Sequence, residues 1–118
     1  MANYQKLFVW QESVEIAVTM LHLSKRLAAR RQFAIADQIV RASLSVPSNI
    51  AEGQGRSSTA DRRHFFVQAR GSLYELETQL EVIGRARLAR DISGIRVRIR
   101  KVSAGLSRII RSLDDSKT

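Results

Sequence analysis

IRVRIRKVSAGLSRIIRSL, Ile95 to Leu113, is the stretch whose reading decides the fold. Its first six residues alternate apolar and basic, as a half-buried strand would. The longer window overrules them. Ile95, Ile99, Val102, Leu106, Ile109 and Leu113 repeat at 4,3,4,3,4, one helix face sustained across the whole stretch. A strand here would also stand without a partner, because no other segment offers one. The segment therefore reads as a helix of about residues 93–114, with Asp91 or Ser93 as its cap.

Upstream, the same template recurs three times. Phe66, Ala69, Leu73, Leu76, Leu80 and Ile83 repeat at 3,4,3,4,3. Ser58-Thr59-Ala60-Asp61 opens that helix, with a serine cap and a carboxylate that suits the positive end of the helix dipole. Ile35, Ile39, Ala42, Val46 and Asn49 form a second stripe, in which Asn49 puts an amide where an apolar group is expected. Leu7, Trp10, Val14, Ala17, Leu21, Ser24 and Ala28 form the first. The predicted helices span about residues 4–28, 33–52, 59–88 and 93–114. Joined by short turns, they imply a single all-α domain over residues 1–118. The expected architecture is an up-down-up-down antiparallel four-helix bundle with coiled-coil-like packing.

The stretch SVPSNIAEGQGR, Ser45 to Arg56, holds the only proline of the chain. Pro47 inside a helix removes one backbone bond and presses on the carbonyl of Ser43, so a second helix kinked at Pro47 is expected. Gly53 then reads as the helix C-cap and Gly55 as a tight turn. Gly53-Gln54-Gly55-Arg56 begins like a dinucleotide loop. No strand precedes it and no Gly-Lys-Ser/Thr follows, so that reading fails on context. Arg56, beside the start of the third helix, keeps a weaker possibility of holding one backbone phosphate.

Composition narrows the function. Apolar residues make up 44% of 118, enough for one modest core, and a lone bundle of this size is a natural candidate for oligomerisation. The absence of cysteine excludes disulfides, thiolate metal sites and cysteine nucleophiles. No apolar run approaches the roughly 18 residues of a membrane span, and the N-terminus lacks a signal-peptide pattern. A cytoplasmic location is expected. The net charge is +9, carried mostly by 16 arginines. Nearly all the excess lies after residue 84, which points to an anionic partner, nucleic acid first. The candidate binding residues are Arg85, Arg87, Arg90, Arg96, Arg98, Arg100, Lys101, Arg108 and Arg111. Arginine grips phosphate through its planar fork, and the scarcity of aromatics argues against base stacking. The competing reading is a scaffold whose partner is a protein, with the arginines solvating its surface.

Catalysis finds no convergent set of groups. His22 and His64 sit beside core positions on different helices and read as surface residues, without metal-ligand spacing; no metal or cofactor is expected. Glu77 and Glu81 are helix neighbours, and Glu81 can pair with Arg85. Glu75 is placed to reach a buried arginine such as Arg41 or Arg70.

Two motifs, QIVRASLSVPSNIAEGQGR (Gln38–Arg56) and FFVQARGSLYELETQLE (Phe65–Glu81), together with LFVWQES (Leu7–Ser13), resemble the bacterial four-helix bundle family of proteins encoded in 23S rRNA intervening sequences. Within these motifs Gln38, Arg41, Pro47, Asn49, Glu52, Gly53, Arg56 and Glu75 are the structural positions. The resemblance implies a ring-like homopentamer. It extends to the accessory variability protein of diversity-generating retroelements, which implies a reverse transcriptase with its RNA as a partner.

Overall fold

The alternation at Ile95–Arg100 is helical. The computed structural model describes residues 3–115, as α1 (Phe8–Ala29), α2 (Phe33–Gly55), α3 (Thr59–Arg85) and α4 (Ser93–Asp115), with a 3-10 turn at Asn3–Lys6 before them. The fold is all-α. Each helix packs on the next, and α4 closes back on α1. Contacts between α3 and α4 pair rising numbers with falling ones: Arg63 with Asp114, Arg70 with Ser107, Glu77 with Arg100, Glu81 with Arg96. The molecule measures 50 × 26 × 21 Å, so its two ends are separate surfaces. One end brings the close of α1 beside the α3–α4 turn. The other gathers the start of α1, the start of α3 and the close of α4.

The stripe on α3 is buried as expected, with all six residues from Phe66 to Ile83 fully enclosed. On α1 the expected stripe is wrong by about one residue, or roughly 100° of rotation. The buried positions are Val9, Ser13, Ile16, Met20, Leu23 and Leu27, joined by Ala17, whereas Leu21 is 39% exposed. Helix α1 is apolar around much of its circumference, so two stripes compete, and the true one is interrupted by Ser13. That hydroxyl is satisfied locally, donating to the Trp10 carbonyl at 2.8 Å. In α4, Ile110 rather than Ile109 completes the core.

Helix α2 runs unbroken through Pro47 to Gly55, past the expected stop at Glu52. Its core positions are Ala36, Ile39, Ala42, Ser43, Val46, Ile50 and Gly53, so Ile50 takes the place expected of Asn49. Asn49 lies at the flank, half-buried, and its amide donates to the Ser45 carbonyl at 2.8 Å. Gly53 is not a C-cap. It is a buried helical residue where α2 meets α3, and a Cβ there would lie 3.0 Å from Phe65 Cβ and 3.2 Å from the Arg62 carbonyl oxygen. Elsewhere along this seam the Ser45 hydroxyl meets that of Ser72.

The helix ends explain what the sequence conceals. Helix α1 closes with Arg31 at φ 62°, the Arg31 N–H reaching Ala28 and the Gln32 N–H reaching Leu27 at 2.9 Å. Helix α3 closes at Arg85, short of residue 88, with Arg87 at φ 58° and the Leu88 N–H on the Ile83 carbonyl at 3.0 Å. Both are Schellman closures in which arginine stands where glycine is usual. At α3 the expected cap is present, since Ser58 Oγ accepts from the Asp61 N–H at 3.1 Å. Neither Asp91 nor Ser93 takes the cap position of α4. Asp91 turns the chain at φ 57°, Ser93 is already helical, and the Ile92 carbonyl accepts the first helical N–H, from Arg96.

Candidate nucleic-acid interface

The nine expected binding residues divide into two groups. Arg96 pairs with Glu81 at 2.7 Å, Arg98 with Glu12 at 2.5 Å and Arg100 with Glu77 at 3.0 Å. Arg85 also reaches Glu81, at 2.8 Å. Hydrogen bonds from Arg85, then Arg96, hold the Glu81 carboxyl below its ordinary range. The Glu12 hydrogen bond likewise raises the Arg98 guanidinium. Glu81 serves two of these four arginines, so three carboxylates offset three of the four charges. Arg96, Arg98 and Arg100 fasten α4 to the helices on both sides, a role that periodicity could not show because the partners are distant in sequence.

Arg87, Arg90, Lys101, Arg108 and Arg111 have no carboxylate partner among the described residues, and all five are exposed. Lys101, Arg108 and Arg111 follow one outward stripe of α4, with exposed Ala104 between them. Ten residues of helix rise make this stripe about 15 Å long. The basic ridge on α4 is therefore narrower than the sequence suggests. It lies outside the ion pairs.

Arg87 and Arg90 lie elsewhere, at the end of the rod where α1 closes. There the fold brings in two arginines that sequence reasoning missed, Arg26 and Arg30. The four line one cavity with Leu23, Leu88 and Ala89. Arg30 Nη1 donates to the Leu88 carbonyl at 2.6 Å, which fixes α1 to the α3–α4 turn. Some 60 residues separate these pairs in the chain, and only the folded arrangement joins them.

The motif residues are spread along α2 and α3, and only some of them make contacts. Arg56 pairs with Glu52 at 3.1 Å and lies over the Phe65 ring, 4.9 Å from its centroid. Its charge is thus already engaged. Glu75 does not reach Arg41 or Arg70. It accepts from Gln79 Nε2 at 3.3 Å, while Arg70 donates to Ser107 Oγ at 3.1 Å. Both Gln38 and Arg41 are exposed, and Pro47 is half-buried. His22 and His64 are exposed. Among the described residues no group of histidine and carboxylate side chains could hold a metal ion.

An all-α protein with four packed helices, motif residues at the α2–α3 seam and cations on α4 and the turn end is a small basic helical bundle. The chain belongs to the family of 23S rRNA-intervening sequence proteins, whose model matches residues 5–108. It is also similar to the crystal structure of a protein of unknown function from the S23 ribosomal protein family of Bacteroides thetaiotaomicron. The two share 27% identity and a TM-score of 0.84, over 87% of this chain and 95% of that one. No curated protein matches the chain. Neither description names an enzymatic activity. Among the described residues no helix is long and apolar enough to cross a membrane.

Proposed function

We propose that this protein is a non-enzymatic, oligomeric bundle that binds the phosphate backbone of RNA or DNA. The observation that carries the reading is the Lys101–Arg108–Arg111 stripe, exposed cations left over after the other α4 arginines are paired. A stripe about 15 Å long spans several phosphate steps of one strand, at 3.4 Å each along a duplex axis. None of its own side chains is aromatic, and one exposed ring, Phe8, lies near Arg108, so it suits backbone contact with little sequence reading. Self-association is supported by exposed apolar side chains, including Phe8, Phe33, Tyr74 and Val82, each more than half exposed in the single chain. The resemblance to pentameric relatives suggests a ring of five, with a reverse transcriptase and its RNA as candidate partners.

Binding to random single-stranded RNA and to duplex DNA, titrated with salt, tests this reading. Three neutralised phosphates per protomer give a slope of log Kobs against log salt of about −2 to −3, and each of Lys101→Gln, Arg108→Gln and Arg111→Gln should flatten it by about one. Absence of binding at low salt, or binding indifferent to salt, overturns the proposal in favour of a protein partner. Sedimentation of the purified protein tests assembly, and a monomer at all concentrations refutes that part.

A further inference from the structure

We infer that the turn end of the bundle is a pocket for a single dianionic phosphate group. Arg26 and Arg30 from α1 and Arg87 and Arg90 from the α3–α4 turn line one cavity of about 370 Å³. Leu23, Leu88 and Ala89 complete its lining, and no carboxylate is among the lining residues. This assignment does not depend on the α4 stripe, whose residues Lys101 to Arg111 run toward the opposite end of the rod.

The simplest competing account is that these arginines only offset helix dipoles. Helices α1 and α3 both close here, and each C-terminus carries about half a negative charge. Together they balance about one of four guanidinium charges. About three remain in a shared concave site, where they are exposed to solvent and an anion seated among them would relieve their mutual repulsion.

Two details favour a phosphate over diffuse counterions. Arg30 is anchored by the Leu88 carbonyl, a neutral acceptor 2.6 Å away. The anchor holds the side chain in place, leaves its charge uncancelled and its other N–H groups available. Arg87 occupies the left-handed closure of α3, at φ 58°, where glycine would satisfy the backbone more easily. A strained residue whose side chain lines a cavity points to a use for that side chain. A phosphate monoester, with up to two charges and three free oxygens, fits several forked donors better than a singly charged diester does. The source is a free phosphate ester or the phosphorylated end of a nucleic acid, which share this chemistry.

The test uses the full chain and inorganic phosphate, added against chloride at constant ionic strength and followed by amide NMR shifts. Saturable shifts at Leu23, Leu88, Ala89 and Arg90 are expected. Arg26→Gln and Arg90→Gln should each weaken binding about tenfold, while Lys101→Gln and Arg108→Gln leave it unchanged. Arg87→Gly is the decisive variant. It should raise the melting temperature and still weaken phosphate binding, a combination that a purely structural role does not produce. A matched pair of oligonucleotides, 5′-phosphorylated and 5′-hydroxyl, then separates the sources. Preference for the phosphorylated form assigns a nucleic-acid end, and equal affinity with saturable inorganic phosphate assigns a free ester. Shifts that track ionic strength alone, or equal losses in the Lys101 and Arg108 variants, overturn the pocket. Oligonucleotide binding that persists without phosphate binding would leave the α4 reading standing by itself.

Discussion

Replacing Gly53 with alanine should weaken the fold, whereas the same replacement at Gly71 should strengthen it. Both glycines are helical, and neither has a positive φ. A Cβ at Gly71 meets nothing within 4 Å, so only the propensity gain operates, about 1 kcal/mol in a helix interior. A Cβ at Gly53 would press on Phe65 Cβ at 3.0 Å and on the Arg62 carbonyl at 3.2 Å. Neither atom can rotate aside, since one is bonded to the backbone and the other belongs to it. The helices must move apart, and overpacking of this kind costs about 1–3 kcal/mol. Gly53 lies two residues from the end of α2, where the propensity gain offsets only part of that. A net loss of about 1–2 kcal/mol is expected. Urea unfolding at fixed, dilute protein concentration measures it, because assembly would raise apparent stability. With a slope near 2 kcal/mol per molar urea, the midpoint should fall by about 0.5–1 M for Gly53→Ala and rise by about 0.5 M for Gly71→Ala. Equal shifts for the two variants, or a Gly53 variant as stable as the parent, would refute the close-approach argument.

Three further outcomes are expected. Arg31→Gly should stabilise the protein by about 1 kcal/mol by relieving a left-handed arginine, seen as a melting temperature a few degrees higher; a lower one counts against the assigned closure. Because Glu81 is held below its ordinary range in the folded chain, its contribution is present above the unfolded-chain value of about 4.3 and fades as pH falls through the lower folded value. The stability gap between the parent and Glu81→Gln, from urea midpoints at several pH values, should therefore close in acid, and a constant gap would contradict the pairing. Arg98→Ala should cost up to about 1 kcal/mol through its Glu12 pair and lose that effect in high salt, while Lys101→Ala stays within about 0.5 kcal/mol. Indistinguishable variants would show that the division of α4 arginines is wrong.

How much of this was legible varied with local contrast. Helix α3 could be read residue by residue, because polar neighbours flank Ala69, Leu76 and Leu80 on both sides and fix the face. Helix α1 could not, because Leu21 and Val14 advertise burial as strongly as Met20 and Leu23, and only packing decides which face turns inward. Helix ends without glycine were also opaque. Nothing in Arg31 or Arg87 announces a left-handed residue. The charge excess after residue 84 was plain, but its fate was not, since Glu12 meets Arg98 only after the chain has folded back. The same limit hid Arg26 and Arg30 as neighbours of Arg87 and Arg90. Gly53 reads as a stop in the sequence, whereas the fold uses it as a point of close contact.

The seam between α2 and α3 is fastened by shape, with small side chains and the broadest helix-to-helix contact in the molecule. Helix α4 is held differently. Beneath it lies an apolar stripe, but along its edges run Arg98–Glu12, Arg96–Glu81, Arg100–Glu77 and Asp114–Arg63. The two halves of the bundle should then answer to different solvents. Acid and salt slacken the lacing of α4 first and leave the α2–α3 hairpin clasped, so backbone amides of α4 exchange ahead of those in the seam. A polyanion would settle on Lys101, Arg108 and Arg111, on the same helix but outside the lacing. Its arrival would leave Glu12, Glu77 and Glu81 with their partners, so binding and the fastening of α4 draw on separate sets of cations.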